Sequence, residues 1–553
     1  MKPTKHTIEE LNNCSRQDLI IMLMAMEVRA DQLSQDMQEL IEQLKIANQN
    51  RFGRKTECLD EIDGQMSFFN EAEKLSEDAP DEEPGIDEVL PEKSKKQKQK
   101  GKREADLKDF PEEPVDHKLS DEELDDKYGP GNWRRLPTET YKRLKYTPAS
   151  WSVEVHHIDV AVGTGGLYQD EFTRGERPKD LFRDSIVTPS LASAIMNAKY
   201  VNSLPLYRIE QEFPRNNVNI SRQSMADWMI KLSDRYFMPM YDYLKEELLK
   251  YHVNQADETP VKVINDGRPS GTTSTSYMWV HRSGEFYKDR PIVLYEYQKT
   301  RHHKHPEAFY KDYKGILVTD GLQQYHLIEK NLSGVTNANC WAHARRSFAD
   351  AIKAIKKSDP KALKKTTAYQ ALVRIAGIYK LENTLKDLSP KERLKERQKQ
   401  IEPLVDEYFA WVKQCIEDCT VSPKSETGKG LNYSMNQENY LRTFLIDGEV
   451  PIDNSASERS IRTFCIGKKN FVLINSIKGA DASAVIYSLS ETAKLNNLNP
   501  YYYFEHLFSV LPQYITYNDK EGSIDTTKLS EKVLQELLPW SDKLPVKCHK
   551  KRR

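Results

Sequence analysis

The chain has 553 residues, room for three or four domains at roughly 150 residues each, and its 82 Lys+Arg nearly balance 84 Asp+Glu. A net charge of −2 creates no global field toward one class of partner, and a mean hydropathy of −0.73, with no run near the ~20 apolar residues of a spanning helix, excludes an integral membrane protein. Seven scattered cysteines are no disulfide framework, and MKPTKHTIEELNN lacks the apolar core of an export signal, so the expectation is a soluble cytoplasmic protein with no membrane partner.

Residues 1–55 carry a heptad pattern. Leu23, Ala30, Met37 and Leu44 fall at a, and Leu19, Met26, Leu33 and Leu40 at d, flanked by Glu27, Arg29, Asp31 and Gln32. That seam reads as a coiled coil joining a homodimer or higher oligomer, with an amphipathic helix packed on its own chain as the alternative. Residues 56–108 hold an acidic block and then a basic one (EKSKKQKQKGKR), the composition of a disordered linker, with phosphate contact by the basic block as the alternative. Residues 109–165 read as a small β-rich module, in which Trp151, Val153, Val155 and His157 alternate with Ser152, Glu154, His156 and Ile158.

Residues 166–250 read as helical. Ser221 is placed to cap a helix opening with Arg222 and Gln223, and a short helix, a turn and such a helix make either a helix-turn-helix for a DNA major groove or a plain bundle. Residues 251–350 change character. QADETPVKVIN, SYMWVHRS and PIVLYEYQ predict three hairpin-linked strands; PEAFYKDY, GILVTD, LQQYHLIEK, VTNANC and a helix from Trp341 follow as helix–strand–helix–strand–helix. This is the element order of an α/β ribonuclease-H-like core, a mixed sheet with helices on both faces, whose second part is expected at residues 438–510. Between them, residues 351–437 predict a helical insertion with no chemistry of its own, and residues 511–553 form a tail with a basic end, KCHKKRR.

Three carboxylates stand out: Asp257 in the first strand, Asp320 at the end of GILVTD, and Glu458 in the first turn of a helix in DNSASERSIR, capped by Asn454 or Ser455. Converging at one sheet edge, they suit Mg²⁺ (with Mn²⁺ as a substitute), and a metal pair there performs phosphodiester displacement. Arg345, Arg346, Arg459, Arg462, Lys468 and Lys469 are candidate phosphate contacts, beside Arg222 and Gln223 for DNA; ion pairing with Glu458 and its neighbours is the bland alternative for the first group. Cys340 and His343 form a C-x-x-H. Cys415 and Cys419 could supply further ligands, but two ligands do not make a structural zinc site and zinc is not expected.

The ordered set RFGRKTE, KYVNSLPLYRIEQEF, SRQSMADW, ADETPVKV, VTDGLQQY, CWAHARRSF, PIDNSASERSIR, GKKNFVL and ETAKLNNLNPYYYFEHL, spanning most of residues 50–508, resembles the insertion sequence 66 family of bacterial DDE transposases. The resemblance implies Asp257, Asp320 and Glu458 as the metal-binding triad, a leucine-zipper-like N-terminus with a DNA-binding region after it, and Cys340 and His343 in a motif beside the active site. It implies an enzyme of the bacterial nucleoid that binds the ends of its own element, cuts them and joins them to target DNA, with accessory proteins of that element as further partners. A non-catalytic DNA-binding descendant is the alternative. One departure is clear. Family members carry paired C-x-x-C motifs before KRLKYTPASWSVEVHHIDV, whereas this chain has YGPGNW and VAVGTGG and no cysteine between Cys58 and Cys340, so that module is expected to fold without zinc.

Overall fold

The computed structural model describes residues 179–550 apart from 183–184, 270–274, 355–362, 420 and 519–522, together with residues 151–162 and 172–174, part of 15–37 and a few isolated positions. Contacts divide the chain into two units, Ala79–Glu176 and the remainder. The expected linker lies outside the described residues, as do Ala30, Leu33, Leu40 and Leu44 of the heptad seam. Leu19, Leu23, Met26 and Met37 are helical and exposed.

In the smaller unit, β1 (Val160–Val162) pairs antiparallel with β2 (Phe172–Arg174). The strand expected from Trp151 onward is therefore shorter than its alternation suggests. Residues 151–159 have no ladder partner among the described residues, and Trp151, Val153, Val155 and Ile158 are exposed. Alternation marks a strand only where another backbone satisfies its N–H and C=O groups.

From Pro189 the larger unit runs through four α-helices among the described residues before its sheet. Thr188 accepts the N–H of Leu191 and Pro189 takes the first position of α1 (Pro189–Met196), an arrangement that satisfies orphan donors and presets φ. α2 (Leu206–Glu212) turns through residues 213–221 into α3 (Arg222–Leu232), which Ser221 caps by accepting from Ser224 N at 3.1 Å. α4 (Met238–Leu248) follows, burying Met240, Leu244 and Leu248.

The sheet comes next: β3 (Val253–Val261), β5 (Ser276–Ser283), β6 (Val293–Gln298), β7 (Gly315–Thr319) and β8 (Val335–Asn339), in spatial order β6-β5-β3-β7-β8. β3, β5 and β6 are antiparallel neighbours; β3, β7 and β8 run parallel. A short β4 (Val263–Asn265) leaves the sheet to pair with β9 (Ile474–Ser476). α5 (Lys304–Phe309) and α6 (Gln323–Asn331) make the crossovers, and α7 (Trp341–Ala354) leaves β8. The mixed sheet expected from the element order is present, with helices on both faces. One core cluster joins Ala256, Met278, Val280 and Leu317 to α1, α3, α4 and α14 (Ile477–Leu495); a second joins Val253, Ile316, Val318 and Ala338 to α7 and a helical insertion.

That insertion comprises α8 (Thr367–Thr384), α9 (Pro390–Glu396), α10 (Glu402–Glu417), α11 (Glu426–Asn436) and α12 (Glu438–Leu441). Ser389 and Glu392 close a capping box on α9. Two buried arginines tie the insertion down. Arg397 pairs with Glu382, Nε donating to Oε2 at 2.9 Å, and its Nη1 donates to Phe444 O and Asp447 O. Arg393 donates to Leu385 O and Gly448 O. Trp341 Nε1 donates to Leu441 O at 2.8 Å, joining the insertion to the start of α7. The chain then enters α13 (Ser455–Phe471), α14, α15 (Pro500–Val510) and α16 (Glu531–Leu537). No helix among the described residues is long and apolar enough to cross a membrane.

Replacing Arg397 with Met leaves the Glu382 carboxylate buried and unpaired. The expected loss is about 3–5 kcal/mol, read as a lower urea midpoint, against a much smaller loss for the double replacement Arg397→Met with Glu382→Leu. Equal losses in the two proteins would show that the pair carries no such penalty.

Candidate active site

β3 pairs with β7 in a register that matches Gln255 with Val318. Two residues further along each strand, that register sets Asp257 level with Asp320, which follows the last residue of β7. Residues at one level of adjacent parallel strands face the same side. Leu322 N–H donates to Asp320 Oδ1 at 2.9 Å and orients that carboxylate, and Tyr433 Oη donates to the Asp320 carbonyl at 2.9 Å. Gly321, at φ +83°, makes the turn after Asp320; a Cβ there would lie 2.5 Å from Tyr433 Oη and 2.9 Å from Asn339 Nδ2.

Glu458 reaches the same place from α13. The N-terminus of that helix is fixed by side chains rather than by the cap expected from Asn454: Asn454 Nδ2 donates to Ala256 O at 2.8 Å, and its Oδ1 accepts from Gln255 Nε2 at 3.3 Å. The residues before Glu458 are thus bonded to the residues before Asp257. Arg282, buried, donates to Ala456 O and Ser460 Oγ from β5. Burial, and after it the charges of Glu258, Glu458 and Asp320, push the Asp257 carboxyl well above its ordinary value. Three acids therefore share one partly desolvated space. Carboxylate oxygens are the donors they offer, a set that fits a hard divalent cation.

The flanking charges divide the work. Glu258 is buried, accepts from Arg301 Nε at 2.6 Å and from Tyr325 Oη at 2.5 Å, and is raised in pKa by burial first and by Asp320 second. Arg301 Nη2 also lies 3.9 Å from Asp320 Oδ2. Glu458 Oε1 stands 3.8 Å from His343 Nδ1 and 3.9 Å from Arg346 Nη2. Burial and the neighbouring Arg346 push the His343 imidazole down to about 3, so it is neutral near pH 7. Cys340 Sγ, buried, accepts from Asn454 N at 3.1 Å.

The other expected contacts scatter. Arg345 is 5 % exposed, and this corrects its assignment as a phosphate contact: on α7 it faces inward beside Tyr379, while Arg346 faces out. Arg459 pairs with Glu285 at 2.8 Å rather than with Glu458. Lys468 Nζ donates to Pro260 O at 2.9 Å, Lys469 is exposed and Arg462 half-buried. Gln223 and Arg222 are exposed at the start of α3, where Arg222 N–H donates to Glu210 Oε1 at 2.8 Å.

Several residues of the site went unnoticed in the sequence. Glu258 stood beside Asp257 in the Asp-Glu dipeptide, which could have drawn notice. Arg301, Tyr325, Tyr433 and Gln437 had no local signal. The insertion, expected to carry no chemistry, provides two of them: Gln437 Oε1 accepts from Asn339 Nδ2 at 2.8 Å, and Tyr433 holds Asp320.

The family model described as Transposase IS66 family matches residues 184–482, more than half of the chain and all of this site. A second, described as Transposase C of IS166 homeodomain, matches residues 39–115. Among curated proteins, Uncharacterized protein y4qI of Sinorhizobium fredii is 28 % identical over 343 residues, covering 60 % of this chain and 61 % of its own length. Uncharacterized protein y4jD of the same organism is 27 % identical over 376 residues, covering 66 % of this chain and 68 % of its own. The chain spans about three fifths of the length of y4qI.

Because Asp257 has a folded-state pKa above 3.8, folding takes up a proton from there upward, and this group's contribution to stability falls as pH rises through that window. Asp257→Asn in chelator is expected to raise stability near pH 7, with the difference vanishing toward pH 3, where the aspartate is protonated in both states. A variant less stable than the parent at pH 7 would refute the account of a carboxylate disfavoured by burial and by its like-charged neighbours. Gly321→Ala, in turn, is expected to cost about 1–2 kcal/mol from φ alone and more from the clash with Tyr433 Oη. Combining it with Tyr433→Phe, which removes that oxygen, should cost less than the sum of the single changes.

Proposed function

This chain belongs to the IS66 family of transposases, and on that premise we propose that it is a DNA transposase of the DDE class, binding the terminal inverted repeats of its element and performing metal-dependent strand cleavage and strand transfer. In this reading the mixed-sheet domain is ribonuclease-H-like, and Asp257, Asp320 and Glu458 are the metal-binding triad. The observation that carries it is the convergence of those three carboxylates, in register on β3 and β7 and on the first turn of α13, with Asp257 held in a state that a bound cation would relieve. Mg²⁺ held there, as a pair, would supply an activated water or 3′-hydroxyl and neutralise the leaving oxygen.

The chain's own residues do the rest. The Leu322 N–H fixes which way Asp320 points, and the bonds from Asn454 to β3 fix the distance from α13 to the strand. Arg301 takes up the charge of Glu258, so that carboxylate does not compete with Asp257 for a cation. Arg346, exposed beside Glu458, and Lys469 are placed for the non-bridging oxygens of a phosphodiester; Arg459 and Lys468 reach one only by leaving Glu285 and Pro260 O. The first turn of α3, with Arg222 and Gln223, is the element offered to a groove of the repeat, and the exposed apolar residues near Leu23 are the seam for a coiled coil between copies.

Incubation of the full chain with a labelled duplex carrying the element's own end is expected to give nicking with Mg²⁺ and none with EDTA. Asp320→Ala and Glu458→Gln should each lower the rate by about a thousandfold or more, as loss of one member of a concerted set does, while the duplex is still bound. Cutting by Asp320→Ala would overturn the triad, and binding without cutting, even with the element's other gene products added, would leave a DNA-binding protein without catalysis.

A further inference from the structure

A second donor set of different chemistry adjoins the carboxylates. Cys340 follows β8, His343 lies in the first turn of α7 and Glu458 in the first turn of α13, and one ligand atom from each lies within 4.8 Å of the other two. His343 Nδ1 is buried with no hydrogen-bond partner among the described residues, and it is aimed at Glu458 Oε1 across 3.8 Å, beyond hydrogen-bonding reach. A buried ring nitrogen left without a partner is costly unless something else takes its lone pair. The sulfur is also prepared: the Asn454 N–H points at Cys340 Sγ, the kind of outer contact that steadies a metal-held thiolate.

Sulfur, imidazole nitrogen and one carboxylate oxygen make a zinc-type set; Mg²⁺ takes oxygens and leaves thiolates alone. Around a tetrahedral ion with bonds of about 2.0–2.3 Å, ligand atoms stand roughly 3.3–3.8 Å apart, so the three need close by only about 1 Å. Cys415 and Cys419, which could have supplied further ligands, do not join the set; Glu458 is its third member.

We propose that Cys340, His343 and Glu458 form a site for a thiophilic divalent cation of the Zn²⁺ class, sharing Glu458 with the Asp257–Asp320 pair. As the metal–sulfur bond forms, the thiol proton leaves to solvent, His343 binds through Nδ1 with its proton on Nε2, and the fourth position stays open to water. The site itself stands on geometry alone. What its occupation does rests on the transposase reading: a thiophilic ion holding Glu458 takes the third carboxylate away from the hard-metal set, so such an ion acts as an inhibitor of Mg²⁺-dependent chemistry.

Titration of the metal-stripped full chain with Co²⁺ tests the site without reference to activity. The expected result is a thiolate-to-cobalt charge-transfer band reaching one ion per chain, bleached mole for mole by Zn²⁺ and untouched by excess Mg²⁺. Cys340→Ser abolishes the band, Asp257→Asn retains it, and His343→Ala or Glu458→Gln weakens Co²⁺ binding by about tenfold or more, at least what loss of an outer-shell contact costs. Circular dichroism checks that each variant is folded, and should Cys340→Ser not fold, the other two variants decide. No charge-transfer band, a band that survives in folded Cys340→Ser, or affinity unchanged in both His343→Ala and Glu458→Gln would overturn the proposal. A normal band with no DNA cleavage counts against the transposase reading alone, and cleavage without a band against the metal site alone.

Discussion

Parallel pairing of β3 with β7 places two carboxylates level on adjacent strands, Asp257 midway along β3 and Asp320 just past the end of β7. Left in water, two such groups would repel weakly; here burial first, and then the charges of Glu258, Glu458 and Asp320, raise Asp257 well above its normal pKa. Much of the surrounding structure answers that strain. Arg301 and Tyr325 are bound to Glu258, the one acid of the group that points to the other side of β3. Asp257 itself has only the N–H of Glu258 as a hydrogen-bond partner among the described residues. The fold pairs Glu258 with a cation of its own and gives Asp257 none, which in the proposed reading leaves the central acid to a metal ion.

Glu458 is the costliest of the three to position, because well over a hundred residues separate it from β8. The chain brings it back through successive fixed points. Arg397 gathers Phe444 and Asp447, Trp341 N–H donates to Ile452 O and its indole to Leu441 O, and Gln255 and Asn454 then lock the entry to α13 against β3. Each of these is a buried bond between segments remote in sequence, the kind whose loss leaves an unsatisfied polar group. The helical insertion is therefore part of the site's framework, and through Tyr433 and Gln437 it also forms part of its wall.

The sheet was legible because its strands are short apolar runs bounded by turn residues: SYMWVHRS coincides with β5, and the helix from Trp341 begins at that residue. Asp257 and Asp320 were legible because they sit on or directly after such strands. Arg345 was misread since two adjacent arginines on a helix are about 100° apart, so only one can face a substrate, and the sequence does not mark which. Tyr433 and Gln437 could not be foreseen at all. Their role depends on how the insertion folds back on β7 and β8, a tertiary fact without local pattern. The alternation from Trp151 failed for a related reason, since a strand needs a partner that local sequence does not supply.

The position of Glu458 brings two coordination chemistries into conflict. On its strand side stand oxygen donors that suit an ion keeping much of its water; on its α7 side stand a thiol and a neutral imidazole that suit an ion giving its water up. In the proposed reading one carboxylate cannot serve both at full strength, because a ligand oxygen held by one ion is withdrawn from the other. The helix that carries Glu458 is held by Asn454 from β3 and by Arg282 from β5, so on that reading the choice falls to the side chain rather than to the helix. On the same reading, the fixed position of α13 is what makes the third carboxylate dependable, and the thiol and imidazole beside it are what make it exchangeable.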